Sequence, residues 1–579
     1  MKMKRKLLAV MLSFGLVATS LTGCGNKEEV PVVKDDVEVT EGLKDGTYGG
    51  NGIGYGGELS LEVVVKDSKI EDITMVEHGE SSPVFTRAFP VIKERIIEAQ
   101  TPIVDSVSAA TFSSYGVKTA VNGALKEAGQ DFGSITMDTA PERSEPVELE
   151  EVKTQIVVVG GGPAGLSAAI SAKQSGANDV ILVEKLDILS GNGKFDMNFF
   201  DMINSKAQKD NGEELTVEDF LEMKKDSSDS DPRKKVWAEG SYEVDSWLRD
   251  MGVNLNYPYG ETNHMAEADE YAGEHIQEHL EKKAKELDVD IRTGTKGLDI
   301  IMEDGKAVGV KVENREGYYD IKADAVIIAT GGFSANKELL AKYAPGAEKV
   351  ETSNQMGATG DFVEVFDKHN LKMDQMDVLS VFKLIIKNRR DLTGAGDGFM
   401  LVNKDGERFA AENSSGLELA HTILEQPDGK VYYIYDQPLK ESFYRLTKHN
   451  DLGYHVKADT IEELAEKLNV DKDNLLKTVE TYNKAIDKEI EDPFRGENVF
   501  DRKFAESGPY YGVQVESAIH MTKGGVVANE KAQILNTSDE PVEGLYASGE
   551  VTATSGAYSA SVIFGRVSGQ EAAKYILDK

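Results

Sequence analysis

Thiol chemistry is almost absent from this chain, which has one cysteine, Cys24, among 579 residues. That count excludes an intramolecular disulfide, a cysteine-ligated zinc or iron–sulfur cluster and a Cys-x-x-Cys-His haem attachment. Positive charge is also scarce: Lys and Arg total 65 against 101 Asp and Glu, a formal net charge of −36. Nucleic acid and anionic headgroups are therefore disfavoured as partners. There are two tryptophans, Trp237 and Trp247; both fit amphipathic helices and call for no cofactor role. An apolar fraction of 40% is ample for globular domains, and the length exceeds what one hydrophobic core fills, so two or three domains are expected. Redox chemistry here needs a cofactor that does without thiols, and flavin is the obvious one.

Lys2, Lys4, Arg5 and Lys6 open the chain, and an apolar stretch runs from Leu7 to Leu21. It falls short of the roughly 20 residues that span a bilayer. It ends in Leu21-Thr22-Gly23-Cys24, which resembles a bacterial lipobox. The resemblance implies a signal peptide over 1–23, diacylated Cys24, and anchoring to the extracytoplasmic face of the cell membrane, for which two acyl chains suffice. An uncleaved N-terminal membrane helix is the alternative. Residues 24–41 read as a polar tether.

Residues 42–137 read as a small α+β unit. Gly-rich Asp45–Gly50 leads into a strand over Leu59–Val65, Asp67-Ser68 forms a turn, and Ile70–Val76 is the hairpin partner. Pro90–Ala99 and Tyr115–Ala128 carry helical periodicity. Between them lies Asp105-Ser106-Val107-Ser108-Ala109-Ala110-Thr111. This small-residue loop before a helix suits a phosphate, and its other reading is an ordinary helix start. The unit resembles the FMN-binding domain of bacterial electron-transfer flavoproteins. That resemblance implies that a flavin transferase joins FMN to Thr111, with Ala109 standing where the family has glycine.

After an acidic linker at 138–151, Thr154–Val159 is an apolar strand of the parallel-sheet kind, followed by Gly160-Gly161-Gly162-Pro163-Ala164-Gly165, a helix from Leu166 and a strand Val180–Val183 ending at Glu184. This is G-x-G-x-x-G in its βαβ setting. Gly160 makes the tight turn, Gly162 admits a pyrophosphate, Gly165 lets helix pack on strand, and Glu184 can bind a ribose diol. The motif does not separate FAD from NAD.

Ala323–Phe333, Gly357-Ala358-Thr359-Gly360-Asp361, Gly544–Glu550 and Phe564–Gly569 resemble segments of the fumarate reductase/flavocytochrome c flavoprotein family. The resemblance implies an α/β fold: a split Rossmann-type FAD domain over 152–335 and 508–579, and an α+β cap over 336–507. It implies FAD contacts at Gly160, Gly162, Ala164, Gly165, Glu184, Lys185, Asn192, Ala329, Thr330, Gly331, Asp361, Glu550 and Ala557, and no metal. It also implies reduction of an activated C=C bond in a small-molecule acceptor, by hydride from flavin and a proton from an acid.

Of the family's five substrate-binding positions, His520 is kept. The cap histidine falls near Leu379, the proton-donor arginine at Gly416 and a relay arginine at Ala395, while the C-terminal clamp arginine lies in a segment deleted between Glu550 and Tyr558. A dicarboxylate would lack its cationic partners, so a neutral or mono-anionic acceptor is expected in place of fumarate. His520 reads as a substrate donor or acid, or as structural. Tyr558 reads as a donor or acid, or as core. Lys383, Lys387, Arg389 and Arg390 form a basic cluster, either solvated surface or the source of a replacement cation. Export and the FMN unit imply electrons arriving from a membrane donor chain. The alternatives are a desaturating dehydrogenase like the ketosteroid dehydrogenases, or a non-catalytic electron carrier.

Overall fold

The computed structural model describes residues 42–579 except 81, 144, 190, 194–196, 268–270, 388, 390, 395–397, 497–501 and 555–557. The signal segment, Cys24, the tether, Arg390, Ala395 and Ala557 lie outside the described residues. Among the described residues, no helix is long and apolar enough to cross a membrane.

The N-terminal unit is an antiparallel sheet of β1 (Gly46–Gly54), β2 (Gly57–Lys66) and β3 (Lys69–His78), packed against α1 (Ser82–Ala99) and α2 (Thr111–Glu127). The glycine-rich lead-in is itself a strand. Gly50 and Gly52 lie so close to α2 that a Cβ would stand 2.0 Å from the Ala120 carbonyl oxygen and 2.1 Å from that of Gly116. Asp67 and Ser68 both take positive φ, as a tight hairpin turn of this hand requires. Pro90, expected to start a helix, sits inside α1. The loss of one hydrogen bond is offset by burial of Phe85, Ala88, Ile92 and Ile96 along one face. Helix α2 begins four residues earlier than its periodicity indicates, at Thr111 itself.

The largest sheet orders its strands 290–292, 180–183, 152–159, 317–328, 306–313 and 296–303, and Pro541–Ala547 joins beside 317–328. Pro163–Gln174 and the C-terminal helix Tyr558–Leu577 pack on one face. Those two helices approach closely because Gly565 and Gly569 oppose the Ala164 and Ala168 carbonyl oxygens, 2.3 and 2.1 Å from where a Cβ would lie. A second sheet forms around Tyr510–Thr522, which pairs with Leu379–Ile386, Val431–Asp436, Glu351–Thr352 and Val456–Ala458. The chain from 508 therefore enters this cap sheet first and returns to the Rossmann-type sheet at 533, where Gln533–Leu535 pairs with Pro541–Ala547. The long strand links the two, and His520 lies near its end.

The acidic linker is tied to both neighbours. Val147–Glu148 pairs with Gly317–Tyr318, Arg143 contacts Asp105 at 2.9 Å, and the Thr139 carbonyl accepts from Lys118 at 2.7 Å.

Candidate active site

A cavity of about 350 Å³ runs from the glycine crossover to the end of the 510–522 strand. Gly160, Gly162, Ala164, Glu184, Lys185, Asn192, Ala329, Thr330, Gly331, Asp361, Glu550, His520 and Tyr558 all line it. Gly165 does not. Its Cβ would stand 1.9 Å from the Gly160 carbonyl oxygen, so its place is the helix–strand contact.

The crossover is shaped for a dinucleotide. Gly160 has φ +114°, and the 163–174 helix starts with proline at its first position, pointing its N-terminus at the cavity. Glu184 accepts from the Gly161 amide at 2.7 Å and the Leu186 amide at 2.9 Å, which orients its carboxylate at the cavity wall. The buried hydroxyls of Thr330 and Tyr558 find no partner among the described residues. Both line the cavity, as fits a polar cofactor seated there. Lys185 does not reach outward: it donates to Thr359 at 2.6 Å and to Asp361 at 2.5 Å. Burial opposes the Asp361 charge, but Lys185 and Lys296 outweigh it and hold the carboxyl below its ordinary range. Glu550 is pushed up by burial, although it accepts from the Thr522 amide at 3.0 Å and from Asn192 at 3.0 Å.

At the far end, Ser353 Oγ lies 2.9 Å from His520 Nδ1 and 3.5 Å from the Ile519 carbonyl. The single hydroxyl proton can serve one of these contacts, so Nδ1 either accepts it or donates its own to Oγ, and Nε2 takes the complementary role. Burial, and secondarily the charge of Arg445, lowers the His520 pKa to about 4, so the ring is neutral at pH 7. Tyr558 starts the C-terminal helix, with its ring edge-on to Phe200 at 5.4 Å. Burial raises its pKa, so the phenol keeps its proton.

The basic cluster supplies no free cation among its described members. Lys383 donates to the Glu412 carbonyl, Lys387 pairs with Glu516, and Arg389 stacks on Tyr454 at 4.7 Å and Tyr55 at 5.9 Å. A Cβ at Gly416 would meet no atom within 4 Å. The cation whose field reaches His520 is Arg445, which the motif comparison passed over. Arg445, Leu446 and His449 form the buried stripe of the helix Tyr444–Asp451. An arginine on that stripe was the only sequence signal.

In the N-terminal unit, Thr111 is exposed as the first residue of α2, whose preceding residue Ala110 offers no side-chain cap. Free amides beside a reachable hydroxyl fit a phosphate joined there. Ala109 has φ +70°, the left-handed region that favours glycine. The loop is held by Arg95, which donates to the Asp105 and Ser106 carbonyls at 3.1 and 3.2 Å, and by buried Lys118, 3.0 Å from Ser106 Oγ. It docks on the neighbouring unit through Asp187, which accepts from the Ser108 amide at 2.7 Å and from Arg95 at 2.6 Å.

Comparison with known proteins agrees with this geometry. Residues 155–561 match the FAD binding domain family and residues 54–126 the FMN-binding domain family. The chain is 34% identical over 448 residues to the probable fumarate reductase Ifc3 of Shewanella frigidimarina, covering 74% of this chain and 76% of that protein. It is 31% identical over 596 residues to a urocanate reductase of Eggerthella lenta, covering 96% of each. The open conformation of a flavocytochrome c3 fumarate reductase superposes with TM-score 0.67 at 32% identity, covering 74% of this chain and 79% of that one. The chain thus belongs to the FAD-binding-domain family of flavin-dependent oxidoreductases, with an FMN-binding domain added at its N-terminal side.

Proposed function

We propose that this protein reduces the C=C bond of an α,β-unsaturated acceptor other than fumarate. It works outside the cytoplasm, and electrons from a membrane donor chain enter through FMN joined to Thr111. FAD bound in the cavity supplies the hydride. The observation that carries the reading is the cavity itself, lined by neutral His520 and by Tyr558, whose hydroxyl has no partner among the described residues. His520 orients and polarises the acceptor. Tyr558 holds a proton at Oη for the carbon α to the activating group; the phenol is a weak acid, but the developing carbanion is far more basic. Leu379, where the family's cap histidine would stand, and Gly416, where its proton-donor arginine would stand, present no charge, and the likeness to a urocanate reductase along 96% of both chains supports an acceptor other than fumarate.

The test is anaerobic. The protein is co-expressed with a flavin transferase, reduced with viologen, and offered enoates and enones alongside fumarate. Rapid reoxidation by one of the former is expected; fumarate turnover at a comparable rate would refute the acceptor assignment. In parallel, Thr111→Ala should lose the mass of FMN, and a mass matching wild type apart from the substitution removes the covalent FMN.

A further inference from the structure

Three lysines line the cavity: Lys185, Lys296 and Lys523. Two of them are spent on Asp361, Lys185 at 2.5 Å and Lys296 at 3.3 Å. Lys523 enters no ion pair and no side-chain hydrogen bond among the described residues. The other carboxylates of the wall are engaged as well, Glu184 by the Gly161 and Leu186 amides and Glu550 by Thr522 and Asn192. An ammonium carries three donors and no acceptor, and turning one away from bulk water without a counter-charge is costly. The half-buried Lys523 therefore marks a place in the cavity that an anion completes.

The backbone fixes where that charge stands. The Lys523 amide donates to the Val378 carbonyl at 2.9 Å, and the Lys523 carbonyl accepts from the Thr554 amide at 3.1 Å. Two glycines follow under close contact: a Cβ at Gly524 would lie 2.3 Å from Met376 Cα, and one at Gly525 2.0 Å from the Val551 carbonyl oxygen. The peptide is thus wedged between the cap turn at 375–378 and the 551–554 segment, with the Lys523 side chain bordering the cavity. His520 and Met521 border it from the same strand end, as does Ser380, which pairs with Met521 across the sheet. The cofactor's phosphates have their own seat at the crossover and the N-terminus of the 163–174 helix, so the anion left for Lys523 is the acceptor's own. One unspent cation matches one carboxylate.

We propose that Lys523 binds the carboxylate of the acceptor, so that the substrate is a mono-anionic enoate and this lysine supplies the charge of the missing arginines. This rests on the reading of the cavity as a C=C reductase site. The same contact assists the reaction. As hydride adds at the β carbon, the π pair moves onto the α carbon and carboxylate, where the ammonium stabilises it until a proton closes the α C–H bond.

The flavin-loaded protein would be titrated calorimetrically with butanoate and 3-phenylpropanoate, with their methyl esters, and with succinate. The matched unsaturated acids, but-2-enoate and cinnamate, would be tested for turnover. Wild type should bind the monocarboxylates more tightly than either their esters or succinate. Lys523→Met should weaken monocarboxylate binding about 10-fold or more and leave the esters unchanged, with Lys523→Arg retaining most of the affinity. No preference for acid over ester in wild type, equal loss for acid and ester in Lys523→Met, or tighter wild-type binding of succinate would overturn the proposal. So would a lower FAD midpoint potential in Lys523→Met with carboxylate affinity intact, which assigns the charge to the flavin instead. A protein that binds monocarboxylates through Lys523 but reduces no C=C bond keeps this site and removes the reductase reading. One that reduces enoates equally well as Lys523→Met keeps the reductase and removes this site.

Discussion

Replacing Asp187 by alanine tests how the two flavin units are held together. Its carboxylate is 5% exposed and accepts from the Ser108 amide, the Ser108 hydroxyl at 2.9 Å, Arg95 at 2.6 Å and Arg315 at 2.8 Å. Ser108 belongs to the loop that precedes Thr111, while Asp187 follows the cavity-lining Glu184 by three residues. Its neighbour Ile188 packs in the core of the N-terminal unit. Truncation strands Arg95, itself 15% exposed, and the Ser108 amide. Removing one partner of a buried pair costs about 3–5 kcal/mol. Arg315, 36% exposed, adds no more than ~1 kcal/mol after screening. Even the lower figure weakens docking by a factor on the order of 100. Amide exchange at 104–111 and 185–189 should accelerate in Asp187→Ala, and FMN-to-FAD electron transfer in anaerobic stopped flow should change with it. Unchanged exchange in both segments would refute the idea that this carboxylate carries the docking. Burial opposes the Asp187 charge, but the Ser108 amide, Arg95 and Arg315 outweigh it and depress its pKa. The contribution is therefore present above the ordinary aspartate value of 3.8 and is lost as pH falls below it.

Ala109→Gly should stabilise the N-terminal unit by about 1 kcal/mol, because it relieves an alanine held at φ +70°; urea unfolding measures this, and destabilisation would contradict it. Gly569→Ala should cost about 1–3 kcal/mol, since the new Cβ meets the Ala168 carbonyl oxygen at 2.1 Å and backbone cannot withdraw; a lower melting temperature with looser FAD is expected. The folded-state pKa of His520 is depressed to about 4 from 6.5, so its contribution is complete above pH 6.5 and about 3 kcal/mol is lost as pH falls towards 4. His520→Gln should flatten that part of the stability profile, and an unchanged profile would place the titration elsewhere.

Much of the molecule could be read without coordinates because its signals are local. The apolar 152–159 strand, the glycine crossover and Glu184 lie within about one βαβ unit, and backbone sterics alone tie their spacing to a dinucleotide. The hairpin turn at Asp67-Ser68 and the loop before Thr111 are equally short-range. Element boundaries were less legible: Pro90 sits inside a helix because a buried face outweighs one missing hydrogen bond, and the Asp45–Gly50 stretch is a strand because its glycines admit α2.

What sequence alone determined here is the pair of flavin-binding units and the single retained histidine, since each rests on residues near one another along the chain. Tertiary structure alone decided that Ser353 and Phe382 stand against His520, that Asp187 joins the Thr111 loop, and that Lys185 is spent on Asp361. Those pairings join residues far apart in sequence, and chain spacing carries no record of which buried charge ends beside which.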